Sequence, residues 1–162
     1  MSVNIMPKVI YGEDVLKMSE EELLMNLGKF MIVVKVTKFS RILFEYYLHF
    51  TRPEFVKKYN LLINSKMINH FTLTLAGEDI QKWPETLTYI HHDLNLNIAK
   101  LDYLIDNMTV NGNLYLNAST IKALPEHLQV KGHLDIRGTG ITQWPKTCTY
   151  ESIDFDNFAG DY

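Results

Sequence analysis

At 162 residues the chain has room for one domain, or for one repeat array with a small attached cap. Nineteen acidic against sixteen basic residues give a net charge of −3, which argues against a general nucleic-acid binder. The single cysteine, Cys148, excludes an internal disulfide and fits a reducing compartment.

Met1 to Ile10 lacks a long apolar run after a basic start, so no secretory signal is expected. The spacing predicts a helix over 13–28. Ser19 and Glu22 have capping-box spacing, Glu20, Glu21 and Glu22 suit the positive end of a helix, Leu23, Leu24 and Leu27 form a stripe, and Gly28 is the stop. Phe30 to Thr37 is rich in Val and Ile and reads as a strand. Within it Met31 to Val36 is the most hydrophobic run, far too short to span a bilayer, so a soluble, cytoplasmic protein without a membrane partner is expected. Ser40 to Phe50 is aromatic with helical spacing (Ile42, Leu43, Tyr46, Tyr47, Phe50), and Thr51 caps a second helix that starts at Pro53 and runs to about Asn60. Residues 1–66 are expected to form a small α/β cap.

From about Met67 the chain repeats itself. Leu114, Leu116, Ile121, Leu124, Pro125 and Leu128 recur at an offset of 20 as Leu134, Ile136, Ile141, Trp144, Pro145 and Cys148, together with Val110/Val130 and Gly112/Gly132. An upstream copy, Leu73, Leu75, Ile80, Trp83, Pro84 and Leu87, lies at an offset of 41, with Leu94, Leu96, Leu101, Leu104 and Met108 between. A fixed period in this range means a solenoid, in which each unit buries its apolar face against its neighbours. Leu-x-Leu alternation marks a strand with one face buried, and the proline belongs outside it, on the return segment. The expected fold is α+β: the cap, then four degenerate repeats over 67–150 with a parallel sheet, then an acidic tail over 151–162. Solenoid ends expose an apolar face, and covering the first repeat is the default role of the cap.

The pattern Leu134-x-Ile136-x-x-Thr139-x-Ile141-x-x-Trp144-Pro145 resembles a leucine-rich repeat. The Leu-Pro ending and short period resemble the bacterial subclass found in effectors secreted into host cells, and also repeats in small tailed-bacteriophage proteins. The resemblance covers residues 67–150. The family's turn asparagine is replaced by Asp79, Ala99, Ser119 and Thr139. Ala99 cannot make the side-chain bond of that position, so the second repeat should be the irregular one. Too little chain remains after Tyr150 for the catalytic domain of the secreted effectors, and ubiquitin-ligase chemistry is not carried over.

His91-His92 point to opposite faces of a regular strand and cannot chelate one metal, while His70, His127 and His133 have no zinc spacing. No phosphate loop, nucleophile elbow or His-Glu-x-x-His motif occurs. Asp154, Asp156, Asn157 and Asp161 lack the pattern of an EF-hand and read as a solvated tail. Trp83 and Trp144 occupy the core position of Leu124, and Cys148 reads as a small buried hydrophobe. No catalytic residue, metal or cofactor is expected.

What remains is the outward-facing row. If Leu114 and Leu116 point in, Asn113, Tyr115 and Asn117 point out; so do Thr72 and Thr74, then Asp93, Asn95 and Asn97, then His133, Asp135 and Arg137. This row is the candidate partner-binding surface. Residues 67–162 carry six basic and twelve acidic groups against ten and seven in residues 1–66, which favours a basic partner surface. The repeats and small size resemble phage proteins that bind and inhibit a host enzyme or immunity complex, such as an ATP-dependent protease, a nuclease or a CRISPR complex. The alternatives are a DNA mimic, which needs acids in two rows, and an enzyme without a recognisable motif.

Overall fold

The computed structural model describes residues 8–27, 29, 32–36, 41–61 and 72–156. The chain divides into two compact units, Met1–Phe71 and Thr72–Tyr162. Together they are mixed α+β, with several parallel sheets.

The first unit opens on β1 (Lys8–Tyr11), α1 (Gly12–Lys17) and α2 (Glu20–Asn26). The single helix expected over 13–28 is therefore two. Ser19 is the reason: its oxygen accepts from the Glu22 N–H at 3.2 Å and Glu22 reaches back, a complete capping box, and an N-cap has extended backbone that ends any preceding helix. Arg52 crosses to this break and donates to the Val15 and Met18 carbonyls, at 3.3 and 2.9 Å, satisfying orphan groups at the end of α1. Next come β2 (Ile32–Lys35), β3 (Arg41–Leu43), α3 (Phe44–Thr51) and α4 (Pro53–Tyr59). Ile42 and Leu43, expected on a helix, lie on β3, which pairs antiparallel with β2; β1 pairs with β2 in parallel. Val15, Leu23, Val34, Phe44, Tyr46 and Leu48 fill the core of this unit at 0% exposure. Gly12 is tied to that packing, since a Cβ there would overlap the Tyr47 hydroxyl. Gly28, Phe30, Met31, Thr37, Ser40, His70, Asn157 and Asp161 lie outside the described residues.

The second unit is built from the repeats. Its strands are β4 (Thr72–Thr74), β5 (Asp79–Gln81), β6 (Tyr89–Ile90), β7 (Asp93–Asn95), β8 (Lys100–Leu101), β9 (Thr109–Val110), β10 (Leu114–Tyr115), β11 (Gln129–Val130), β12 (His133–Asp135) and β13 (Ser152–Asp154). The first strand of each repeat joins one parallel sheet in the order β4-β7-β10-β12-β13. The register sets Leu73, Leu94, Leu114, Leu134 and Ile153 side by side. A smaller parallel sheet, β6-β9-β11, aligns Ile90, Val110 and Val130, and Thr149 adds a bridge to Gln129. Between them lie Leu73, Leu94, Leu96, Met108, Leu114, Leu116, Leu128, Leu134 and Ile136, all at 0% exposure.

Three expectations are corrected. Residues 152–154 are not tail but the fifth strand, held by the Ile136 N–H on the Asp154 carbonyl at 2.9 Å. The second repeat is not irregular: the Ala99 N–H closes its turn on Leu96 at 3.1 Å, as the Ser119 N–H does on Leu116 at 3.0 Å. The irregularity lies in the first repeat, where β5 shifts register between Asp79 and Gln81, and Gln81 takes a φ of 61°. Nor is Asp79 the turn residue. Leu73 and Leu94 are 21 apart, so the position matching Ala99 is Glu78, whose N–H bonds the Leu75 carbonyl at 3.1 Å.

Candidate interaction face

Alternation along each strand of the five-stranded sheet sends the leucines inward and sets two polar columns on the other face. One runs Thr72, Asp93, His133, Ser152, with Asn113, one residue before β10, bonded between Asp93 and His133; the other runs Thr74, Asn95, Tyr115, Asp135, Asp154. Asn97, Asn117 and Arg137 follow just beyond the strand ends, in the turns. All eleven residues expected to face outward thus lie along one sheet. Thr72 and Arg137 are exposed, eight are half-buried, and Asp135 is buried, at 5% exposure.

Several of these polar groups bond the neighbouring repeat. The Asp93 carboxylate accepts from the Asn113 N–H at 2.7 Å, and the Asn113 side-chain oxygen accepts from the His133 N–H at 2.8 Å. One turn on, the Asn97 side-chain oxygen accepts from the Asn117 N–H at 2.8 Å. These N–H groups would otherwise be partly buried donors, so the side chains replace ladder bonds where the strands have ended. Gly112 and Gly132 belong to the same device. A Cβ on Gly112 would overlap the Asp93 carboxylate, and one on Gly132 the Asn113 oxygen. The repeated glycine is therefore a consequence of the repeated side-chain bond.

Asp135 is engaged too. Arg137 grips it with two donors, Nε to Oδ1 at 3.0 Å and Nη2 to Oδ2 at 2.9 Å, and adds its backbone N–H at 3.1 Å. The Arg137 side-chain bonds hold the Asp135 carboxyl below its usual range, against a smaller opposing effect of burial. Tyr115 keeps its ring on the face, with its hydroxyl accepting from the Asn113 amide at 3.0 Å. Ser152 and Asp154 extend the columns by one strand and were missed in the sequence, because the last step from His133 to Ser152 is 19 residues, not 20.

The remaining sequence candidates are placed elsewhere. Trp83 is buried at 1% exposure and its indole N–H donates to the Leu87 carbonyl at 2.9 Å. Trp144 is only half-buried, edge-on to Phe155 at 5.4 Å and donating to the Tyr150 hydroxyl at 3.3 Å. Cys148 is half-buried, its thiol donates to the Pro125 carbonyl at 3.3 Å, and burial pushes its pKa up, which leaves little thiolate. His91 and His92 sit in the bend before β7, not on the strand. Among the described residues no three of His, Cys, Asp and Glu are grouped to hold a metal ion, and no helix is long and apolar enough to cross a membrane.

No protein family, no curated protein and no solved structure matches this chain.

Proposed function

We propose that residues 72–156 are a short leucine-rich-repeat solenoid serving as a protein-binding module without enzymatic activity. In this reading the chain is a phage-encoded inhibitor or modulator of a host enzyme or immunity complex, acting in the host cytoplasm. The supporting observation is the register that sets Thr74, Asn95, Tyr115, Asp135 and Asp154 in one row on consecutive parallel strands. Backbone pairing between consecutive strands holds this row in register, so its groups meet a partner with little ordering cost. Tyr115 is its central aromatic residue and the natural anchor, since stiff amphipathic aromatics dominate binding hot spots. The DNA-mimic alternative has less support: the Asp93 carboxylate is bonded to the next repeat and that of Asp135 to Arg137, so neither is an open acid on this face.

The test starts with the full chain as bait in a bacterial lysate, identifies the captured protein by mass spectrometry, and titrates it against variants. Tyr115→Ala is expected to weaken binding by about 2 kcal/mol or more. Lys122→Ala is the control, because its contact with Asp102 is long, at 3.7 Å, and both groups are exposed. Binding of Tyr115→Ala equal to the parent would remove the strand row as the partner surface.

A further inference from the structure

At the last two strands of the face, a hydroxyl, an imidazole and a carboxylate stand in line. Ser152 Oγ lies 2.7 Å from His133 Nδ1, and His133 Nε2 lies 3.1 Å from Asp154 Oδ2. The register makes this arrangement: Ser152 is directly opposite His133, and Asp154, two residues on, points to the same side. A carboxylate can only accept, so Asp154 selects the tautomer with the proton on Nε2. That leaves Nδ1 as a bare acceptor aimed at the Ser152 hydroxyl. This is the relation of nucleophile, base and orienting acid by which serine hydroxyls are activated, with the two ring nitrogens exchanged. Ser152 is exposed on a strand at the end of the described sheet, so a reagent can approach it.

We propose that Ser152 is an activated nucleophile, a site of covalent modification by electrophilic acyl or phosphonyl groups, with His133 as its general base and Asp154 as the positioning residue. In the reaction with a fluorophosphonate, the Ser152 Oγ–phosphorus bond forms as the phosphorus–fluoride bond breaks. Fluoride leaves, and the hydroxyl proton passes to His133 Nδ1 and then to solvent. An acyl ester reacts likewise, with the alcohol leaving and taking that proton. The product is a modified serine. Turnover, unlike a single modification, needs donors for the oxyanion as well.

The experiment treats the full chain with a fluorophosphonate and follows each serine by peptide mass spectrometry. Ser19 is an internal reference, being exposed and bonded to Glu22, with no imidazole in that bond. A positioned base contributes on the order of 100-fold or more, so Ser152 is expected to outpace Ser19 by that factor. His133→Gln should bring Ser152 down to the level of Ser19, and Asp154→Asn should slow it as well, as the carboxylate's hold on the Nε2 proton is lost. Thermal melts of each variant check that the fold persists; if His133→Gln unfolds, Asp154→Asn and the Ser152-to-Ser19 rate ratio of the parent decide. Labelling of Ser152 no faster than Ser19, or a rate indifferent to Asp154→Asn, overturns the proposal.

Discussion

Gly132→Ala is the sharpest probe of how the repeats are joined. The added methyl would overlap the Asn113 side-chain oxygen and lie 3.1 Å from the Gly112 carbonyl oxygen. Asn113 must therefore swing away and release the His133 N–H, which it holds at 2.8 Å. Leaving a partly buried donor unsatisfied costs about 1–3 kcal/mol. Against this, alanine restricts the unfolded chain and returns about 0.4–1 kcal/mol, because Gly132 does not take a positive φ. The net expectation is a loss of about 1–2 kcal/mol. The decisive measurement is a double-mutant cycle by urea unfolding, with Asn113→Ala as the second change. In that background the oxygen is already gone, so Gly132→Ala should cost much less, with a coupling of about 1–2 kcal/mol between the two sites. Equal costs in both backgrounds would refute the link between the glycine and the side-chain bond.

Ile98 carries a φ of 54° and is 62% exposed, so a β-branched residue pays for a left-handed turn with little burial in return. Ile98→Gly should raise stability by about 0.5–1 kcal/mol in the same urea assay, after allowing for the greater freedom of glycine when unfolded; a loss of stability would show that the Ile98 side chain packs more than its exposure suggests. His49 is buried on α3, and burial pushes its pKa down from 6.5 to about 4. Its folded pKa lies below the unfolded one, so the unfolded state takes up protons first and the first unit should lose stability as pH falls from about 6.5 to 4, by about 1–3 kcal/mol. A His49→Leu variant should lose that part of the pH slope; an unchanged slope in urea melts monitored between those pH values would assign it to other groups.

The second unit was legible because its signal is redundant. Each Leu-x-Leu pair packs beside its own copy, so Leu94, Leu114 and Leu134 report one position three times, and an error in one repeat does not spread. Even so, assuming a step of 20 where Leu73 and Leu94 are 21 apart moved Asp79 into the place of Glu78. The same assumption at the other end, where the step is 19, hid β13 and turned a strand into a tail. The first unit offered no copy to check against. Reading Ser19 as an N-cap and one helix over 13–28 were incompatible, since an N-cap residue is itself non-helical. Ile42 and Leu43 fit a helical stripe with Tyr46, and three residues of strand are too few for period two to override that fit.

Alternation reveals which side chains leave the core; it does not reveal what they do once outside. Asp93, Asn97 and Asn113 read as open polar groups, yet each accepts a backbone N–H from the next repeat. A hint was present, because Gly112 and Gly132 recur directly before the residues whose N–H groups are bonded. A repeated glycine outside a positive-φ turn signals that something approaches where its Cβ would be. Asp135 had a hint as well, with Arg137 two residues away on the same side. Once these groups are assigned to the scaffold, the face narrows. Changing Asn113 or Asp93 disturbs a joint between repeats as well as the surface, so lost binding in those variants would not locate a partner. Thr72, Thr74 and the Tyr115 ring are the positions where binding and stability can be separated, and a partner that contacts this face must be sensitive to at least one of them.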